Sequence, residues 1–199
     1  MEWMGKNGFS FVGNGRGKSS YTMDNFVKKL NVEISRKSLQ GGASNEEFPP
    51  EYYWDYRFMH HHYTPIATKW QGFKRTEHDT KFHDAVSGTM KAEGKALNPN
   101  SGVCFAPSIN VGGGRTPTRE NIERCFETNN YYFLYTTLNY DDEKVIAVIY
   151  WIPTTLIRSW FDQHGRRDGK ICYSKFMDCM REATVVEEPE IMRRGFDLV

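Results

Sequence analysis

The chain has 199 residues, a formal net charge of +1, and 26% charged against 39% hydrophobic residues. That length suits a single domain able to bury a core. The balance excludes a disordered polymer and a simple polycation that coats nucleic acid, but not a face on which positive charge is segregated.

Four cysteines, at 104, 125, 172 and 179, form no C-x-x-C pair. They read as free thiols in a reducing cell rather than as a structural zinc site. No apolar run reaches membrane-spanning length, and the first residues hold no signal-peptide apolar block. The expectation is a soluble, cytoplasmic protein.

Residues 1–20 are glycine-rich and read as a loop-like arm, with GFSFV as a short strand. Within them FVGNGRGKSS ends like a phosphate-binding loop, in Gly17, Lys18 and Ser19. The pattern G-x-x-x-x-G-K-[ST] needs a glycine at position 12, where Val12 stands, and Gly13 comes one residue late. An apolar strand ending in a magnesium-holding aspartate is also missing: KVIAVIYWI runs into Pro153, and Asp141 falls in a turn. The arm is therefore read as a flexible glycine-rich segment, with Arg16 and Lys18 as candidate phosphate contacts. A P-loop-like nucleotide-binding protein is kept as an alternative.

YTMDNFVKKL places Met23, Phe26, Val27 and Leu30 on one helical face and predicts a helix. SLQGGASNEEFPP reads as a loop. EYYWDYRFMHHHYTPIATKW is aromatic and shows no clear period. Its run His60–His62, with His78 and His83, invites a metal reading, yet consecutive histidines in a strand alternate faces, so at most two converge. These histidines read as polar filler in an aromatic segment.

TMKAEGKAL at 89–97 reads as a strand, NPNSG as a turn, and VCFAPSINV at 103–111 as another strand interrupted by Pro107. TRENIERCFETN is a helix capped by Thr118. YYFLYTTL and KVIAVIYWI flank the turn NYDDE as a hairpin. PTTLIRSWFDQHG is a helix with Pro153 at its start, and CYSKFMDCMREA is a last helix. The order predicts an α/β fold, a central mixed sheet of about five strands flanked by helices, in one domain over 1–199.

The strongest chemical signal is FHDAVSGTMKAEGKAL, residues 82–97. Glu93 and Lys95 stand two apart in a strand and project together. A turn at Ser87–Gly88 brings Asp84 back beside Glu93, so two carboxylates and a lysine converge. Magnesium takes one or two carboxylates and keeps several waters. It acidifies a bound water and neutralises charge building on phosphate oxygens, while Lys95 orients or helps deprotonate that water, or stabilises the pentacovalent state. An alternative is that Lys91, Glu93 and Lys95 form the solvated face of an edge strand.

Asp84, eight residues, then Glu93-Gly94-Lys95 at the end of a hairpin resembles the PD-(D/E)XK motif of restriction-endonuclease-like nucleases. The resemblance spans roughly residues 80–162. It departs at His83, where the motif has proline, and at Ala92 and Gly94, where it has bulky aliphatics. It implies a restriction-endonuclease-like fold, Asp84 and Glu93 as Mg2+ ligands, and Lys95 assisting the attacking water.

It further implies double-stranded DNA as substrate, a type II restriction activity leaving a 5′-phosphate, and a homodimer related by a two-fold axis. By the same resemblance SINVGGGRTP, 108–117, lies along the DNA, with Ser108 and Asn110 at base edges and Arg115 suited to guanine. A simple glycine-rich loop is the other reading of that segment. The remaining alternative for the whole chain is a non-catalytic phage or host-defence interaction protein that uses its aromatic 52–63 stretch as a contact surface.

Overall fold

The structure is a computed structural model that describes residues 26–39, 49–76, 82–107 and 118–188. A seven-stranded mixed sheet forms its centre, in the order β2-β3-β4-β6-β7-β1-β9. The strands are β1 (Phe26–Ser35), β2 (Lys74–Arg75), β3 (Ala85–Ser87), β4 (Met90–Ala96), β6 (Tyr131–Tyr140), β7 (Lys144–Pro153) and β9 (Thr184–Glu187). A two-residue ribbon, β5 (Val103–Cys104) with β8 (Lys170–Ile171), lies apart from it. The helices are α1 (Tyr56–Gln71), α2 (Arg119–Thr128), α3 (Thr154–His164) and α4 (Tyr173–Glu182). Among the described residues, no helix is long and apolar enough to cross a membrane. The α/β class and the central mixed sheet match the expectation; the sheet has seven strands rather than five.

β6 and β7 form the antiparallel hairpin expected from their β-branched and aromatic runs. Both are buried on two faces, which is why they read as nearly continuous apolar stretches. Side-chain alternation splits β6 between two cores. Phe133 and Tyr135 face α1, whereas Tyr132 and Leu134 face α2, α3 and α4. α2 crosses over to return the chain so that β6 runs parallel to β4, with Glu93 opposite Tyr132 and Lys95 opposite Leu134.

The segment read as a helix at 21–30 is strand β1 from Phe26 onward. Leu30 and Val32 are buried while Asn31 and Glu33 are exposed, a period of two that continues past the apparent helical repeat. Pairing with β7 over Lys28–Ser35 decides the conformation, and that contact lies more than a hundred residues away. The unassigned aromatic stretch is α1. The Asp55 side chain caps it by accepting from the Arg57 amide, and Gly72 ends it at φ 71°. Met59, Tyr63, Ile66 and Ala67 form its buried stripe. Pro65 lies within the helix but on its exposed side.

The strand expected at 103–111 is reduced to Val103–Cys104, and residues 108–111 lie outside the described part. β5 is held against β8 at a glycine. Gly102 has φ 87°, and a Cβ there would meet the Ile171 carbonyl oxygen at 2.0 Å. This contact ties the segment after β4 to the connection between α3 and α4.

Candidate active site

β3 and β4 make a tight hairpin through Gly88, which adopts φ 58°. The Asp84 amide donates to the Ala92 carbonyl at 2.9 Å, and the Gly94 amide donates to Asp84 Oδ2 at 2.7 Å. The Asp84 carboxylate is thus anchored at the residue between Glu93 and Lys95.

Glu93 and Lys95 project from the same face of β4, and Lys95 Nζ donates to Glu93 Oε1 at 2.6 Å and to the Ala106 carbonyl at 3.3 Å. Glu93 is 6% and Lys95 8% exposed. The solvated edge-strand alternative is therefore wrong for these two residues. β4 lies inside the sheet between β3 and β6, and α2 covers this face.

A buried ion pair is seldom a stabilising device, because desolvation costs about as much as the attraction returns. The electrostatics reflect that strain. Burial pushes the Glu93 carboxyl up to about 7; Lys95 opposes the shift and the nearby Asp84 charge adds to it. Burial alone would depress Lys95, but the Glu93 carboxylate more than reverses this and holds the ammonium above its ordinary value.

Only one Glu93 oxygen is engaged. Glu93 Oε2 is buried and has no hydrogen-bond partner, and the hydroxyl of Tyr132, Glu93's neighbour across the ladder, has only the Asn129 side chain near it, beyond good hydrogen-bond geometry. Native proteins rarely leave such atoms unsatisfied. A carboxylate oxygen in this state could take a cation. Among the described residues no group of three or more His, Cys, Asp or Glu converges as a metal cage. Magnesium is usually held by one or two carboxylates and keeps its waters, so Glu93 could hold it alone, or with Asp84 if that carboxylate turned from the Gly94 amide toward Glu93.

The opposite face of β4 carries a second polar group that the sequence did not reveal. A Cβ on Gly94 would lie 3.0 Å from the Tyr135 hydroxyl, 3.3 Å from Asp84 Oδ2 and 3.4 Å from Thr64 Oγ1. The Tyr135 hydroxyl meets His60 Nδ1 at 2.7 Å and accepts from Thr64 Oγ1 at 3.2 Å. His60 and Thr64 stand one turn apart on α1, so they share a face. The histidine run is helical, not extended. His60 joins this network, His61 is exposed, and half-buried His62 packs on Phe58. Burial, aided by the charge of His61, lowers His62 to about 4. Alternation in YYFLYTTL was the signal that could have placed Tyr132 and Tyr135 on opposite faces.

Arg16, Lys18, Ser108, Asn110, Arg115 and His78 lie outside the described residues. Within the aromatic stretch 52–63, Tyr53, Phe58, Met59 and Tyr63 are buried, whereas Tyr52, Tyr56, Arg57 and His61 are exposed. No family model, curated protein or solved structure matches the chain.

Proposed function

We propose that the protein is a magnesium-dependent endonuclease that hydrolyses phosphodiester bonds of double-stranded DNA. The observation that carries this reading is the buried Glu93–Lys95 pair, with a free Glu93 oxygen, beside an Asp84 carboxylate fixed by the Gly94 amide. Strongly perturbed, incompletely satisfied ionisable groups cluster at functional sites. Asp84 and Glu93 are the residues that would hold magnesium, which would supply charge neutralisation at the phosphate and an acidified water.

The remaining roles fall to the chain itself. Lys95 is kept protonated by Glu93, so it acts as a cationic donor to a phosphate oxygen or to the attacking water more readily than as a base. DNA as the substrate, sequence-specific cutting of the type II restriction kind and a two-fold homodimer rest on the motif's resemblance.

The test is incubation of purified protein with plasmid DNA, with and without magnesium. Cutting is expected only with the metal, and Glu93→Ala or Lys95→Ala should reduce it by about 10³-fold or more while DNA binding survives. Cutting that persists in clean preparations of both variants would sink the assignment.

A further inference from the structure

Three buried polar atoms without a hydrogen-bond partner belong to neighbouring groups on the α2 side of β4: Glu93 Oε2, the Tyr132 hydroxyl and Asn129 Oδ1. Their residues are 6%, 0% and 4% exposed. Tyr132 stands opposite Glu93 on the ladder, and its phenol interacts with both the Glu93 charge and the Asn129 side chain. Buried polar atoms are seldom left bare, and a group of them marks a missing ion or water.

Each of the three is held in place by the rest of its side chain. The Asn129 amide nitrogen spends both protons, on the Phe82 carbonyl at 2.6 Å and the Cys125 carbonyl at 2.9 Å. Turning the amide over would set Oδ1 against those two carbonyl oxygens, so the nitrogen's partners fix where the oxygen lies. The Tyr132 ring packs against Phe105 and Phe126, with centroids 5.5 and 6.1 Å away, and this fixes its hydroxyl. Glu93 is held by Lys95 through its other oxygen.

Donors run short in this group. Glu93 Oε2 and Asn129 Oδ1 only accept while the carboxyl is ionised, and the phenol has a single proton. Whichever acceptor takes that proton, the other is left bare. Charge is out of balance as well. The charges acting on Glu93 are those of Lys95 and Asp84, so two carboxylates face one ammonium. A hydrated divalent cation meets both shortfalls: its charge goes to the carboxylate, and its waters bring protons to the neutral oxygens.

We infer that Asn129 and Tyr132 are positioning residues of the cation site: Asn129 Oδ1 and the Tyr132 phenolic oxygen accept hydrogen bonds from water bound to the cation that Glu93 holds. The inference rests on the magnesium reading of Glu93 above and adds two residues that the motif does not contain. The experiment is magnesium binding to the full chain, followed by titration calorimetry without DNA, with the melting temperature of each metal-free variant recorded beside it.

The parent is expected to bind magnesium and Glu93→Gln to lose it. Tyr132→Phe should weaken binding about tenfold or more, as removal of an outer partner of a metal site does. Its metal-free melting temperature should stay within about 2 °C of the parent's. Asn129→Ala should weaken binding as much but also melt earlier, because the Phe82 and Cys125 carbonyls lose their donor. Tyr132→Phe therefore decides the matter, since a merely structural role would move melting and not affinity. Loss confined to one of the two variants would keep that residue and remove the other. Magnesium lost in Glu93→Gln but bound normally by both variants would overturn the inference and leave the nuclease reading standing; the two oxygens would then hold an ordinary buried water. No magnesium binding by the parent would also overturn it, and the plasmid assay would decide the nuclease reading separately. Affinity lost in Tyr132→Phe, in a parent chain that cuts no DNA, would keep the cation site and remove the nuclease.

Discussion

The two faces of β4 are both buried and both polar, yet they are finished differently. Toward α1, the Asp84 carboxylate, Tyr135, Thr64 and His60 meet around Gly94, and the hydroxyls have partners within hydrogen-bonding distance. Toward α2, Glu93 Oε2 is buried with no partner, and the Tyr132 hydroxyl meets only the Asn129 side chain, beyond good hydrogen-bond geometry. A satisfied buried network specifies one arrangement of the chain, whereas an unsatisfied one is costly unless something else completes it. The α1 face is therefore read as structure that fixes Asp84, and the α2 face as the side that meets a ligand.

The largest effect on stability is expected from breaking the open face. Lys95→Met leaves the Glu93 carboxylate buried without its cation. At pH 8 this should cost about 3–5 kcal/mol in denaturant unfolding, reduced to the extent that Glu93 takes up a proton instead. The double variant Glu93→Leu/Lys95→Met should be as stable as the parent or more so. A double variant as damaged as Lys95→Met would show that the pair serves the fold, and the contrast between the faces would collapse.

The same face predicts an unusual dependence on pH. The Glu93 carboxyl is raised from 4.5 to about 7, so between those values the folded chain holds more protons than the unfolded one. Its contribution is thus greatest at low pH and lost as pH rises through that window, by about 2–3 kcal/mol. Half-buried His62 acts in the opposite sense: lowered to about 4, it costs stability as pH falls below its ordinary 6.5. Unfolding followed from pH 4 to 8 should show the Glu93 slope removed in Glu93→Gln and the His62 slope retained. Magnesium should restore stability at the high end of that range.

How much of this could be read from the chain depends on how local each cause is. The β3–β4 hairpin is set by Gly88 and by strand alternation within about a dozen residues, so the turn was legible. The burial of Glu93 and Lys95 was not. KAEGK has the composition of an exposed edge, and only β6, brought alongside by the α2 crossover, makes it interior. Likewise Met23, Phe26, Val27 and Leu30 fit a helical repeat, and pairing with distant β7 overrides it. α1 hid its period because aromatic residues occupy its exposed side as well, Tyr56 among them. β5 and β8, at two residues each, are too short to carry a period at all.

Gly94 tests the closed face with one added methyl. The glycine's φ is not positive, so the backbone tolerates a side chain and only the space is wanting. A Cβ would press on the Tyr135 hydroxyl at 3.0 Å and on Asp84 Oδ2 at 3.3 Å. Gly94→Ala should cost about 1–3 kcal/mol by overpacking. Because Asp84 is one of the displaced groups, it should also lower magnesium-dependent cutting. Loss of stability with cutting unchanged would separate Asp84 from the chemistry.

The finest test compares two tyrosines three residues apart on one strand. Tyr135 and Tyr132 are both fully buried, and burial holds both phenols well above their ordinary value, so each enters the comparison as a neutral hydroxyl. Tyr135→Phe removes an oxygen that His60 and Thr64 both use, and leaving those partners unmatched should cost about 1–2 kcal/mol. Tyr132→Phe removes an oxygen whose polar neighbour is the Asn129 side chain, beyond good hydrogen-bond geometry, so the same chemical change should cost less, within about 0.5 kcal/mol. If the Tyr132 hydroxyl acts only when the site is filled, the two variants should exchange rank with magnesium and duplex present, Tyr132→Phe then losing more affinity than Tyr135→Phe. Equal losses in the empty protein would mean that Tyr132 is already satisfied, and the two faces of β4 would no longer differ in the respect that points to a ligand.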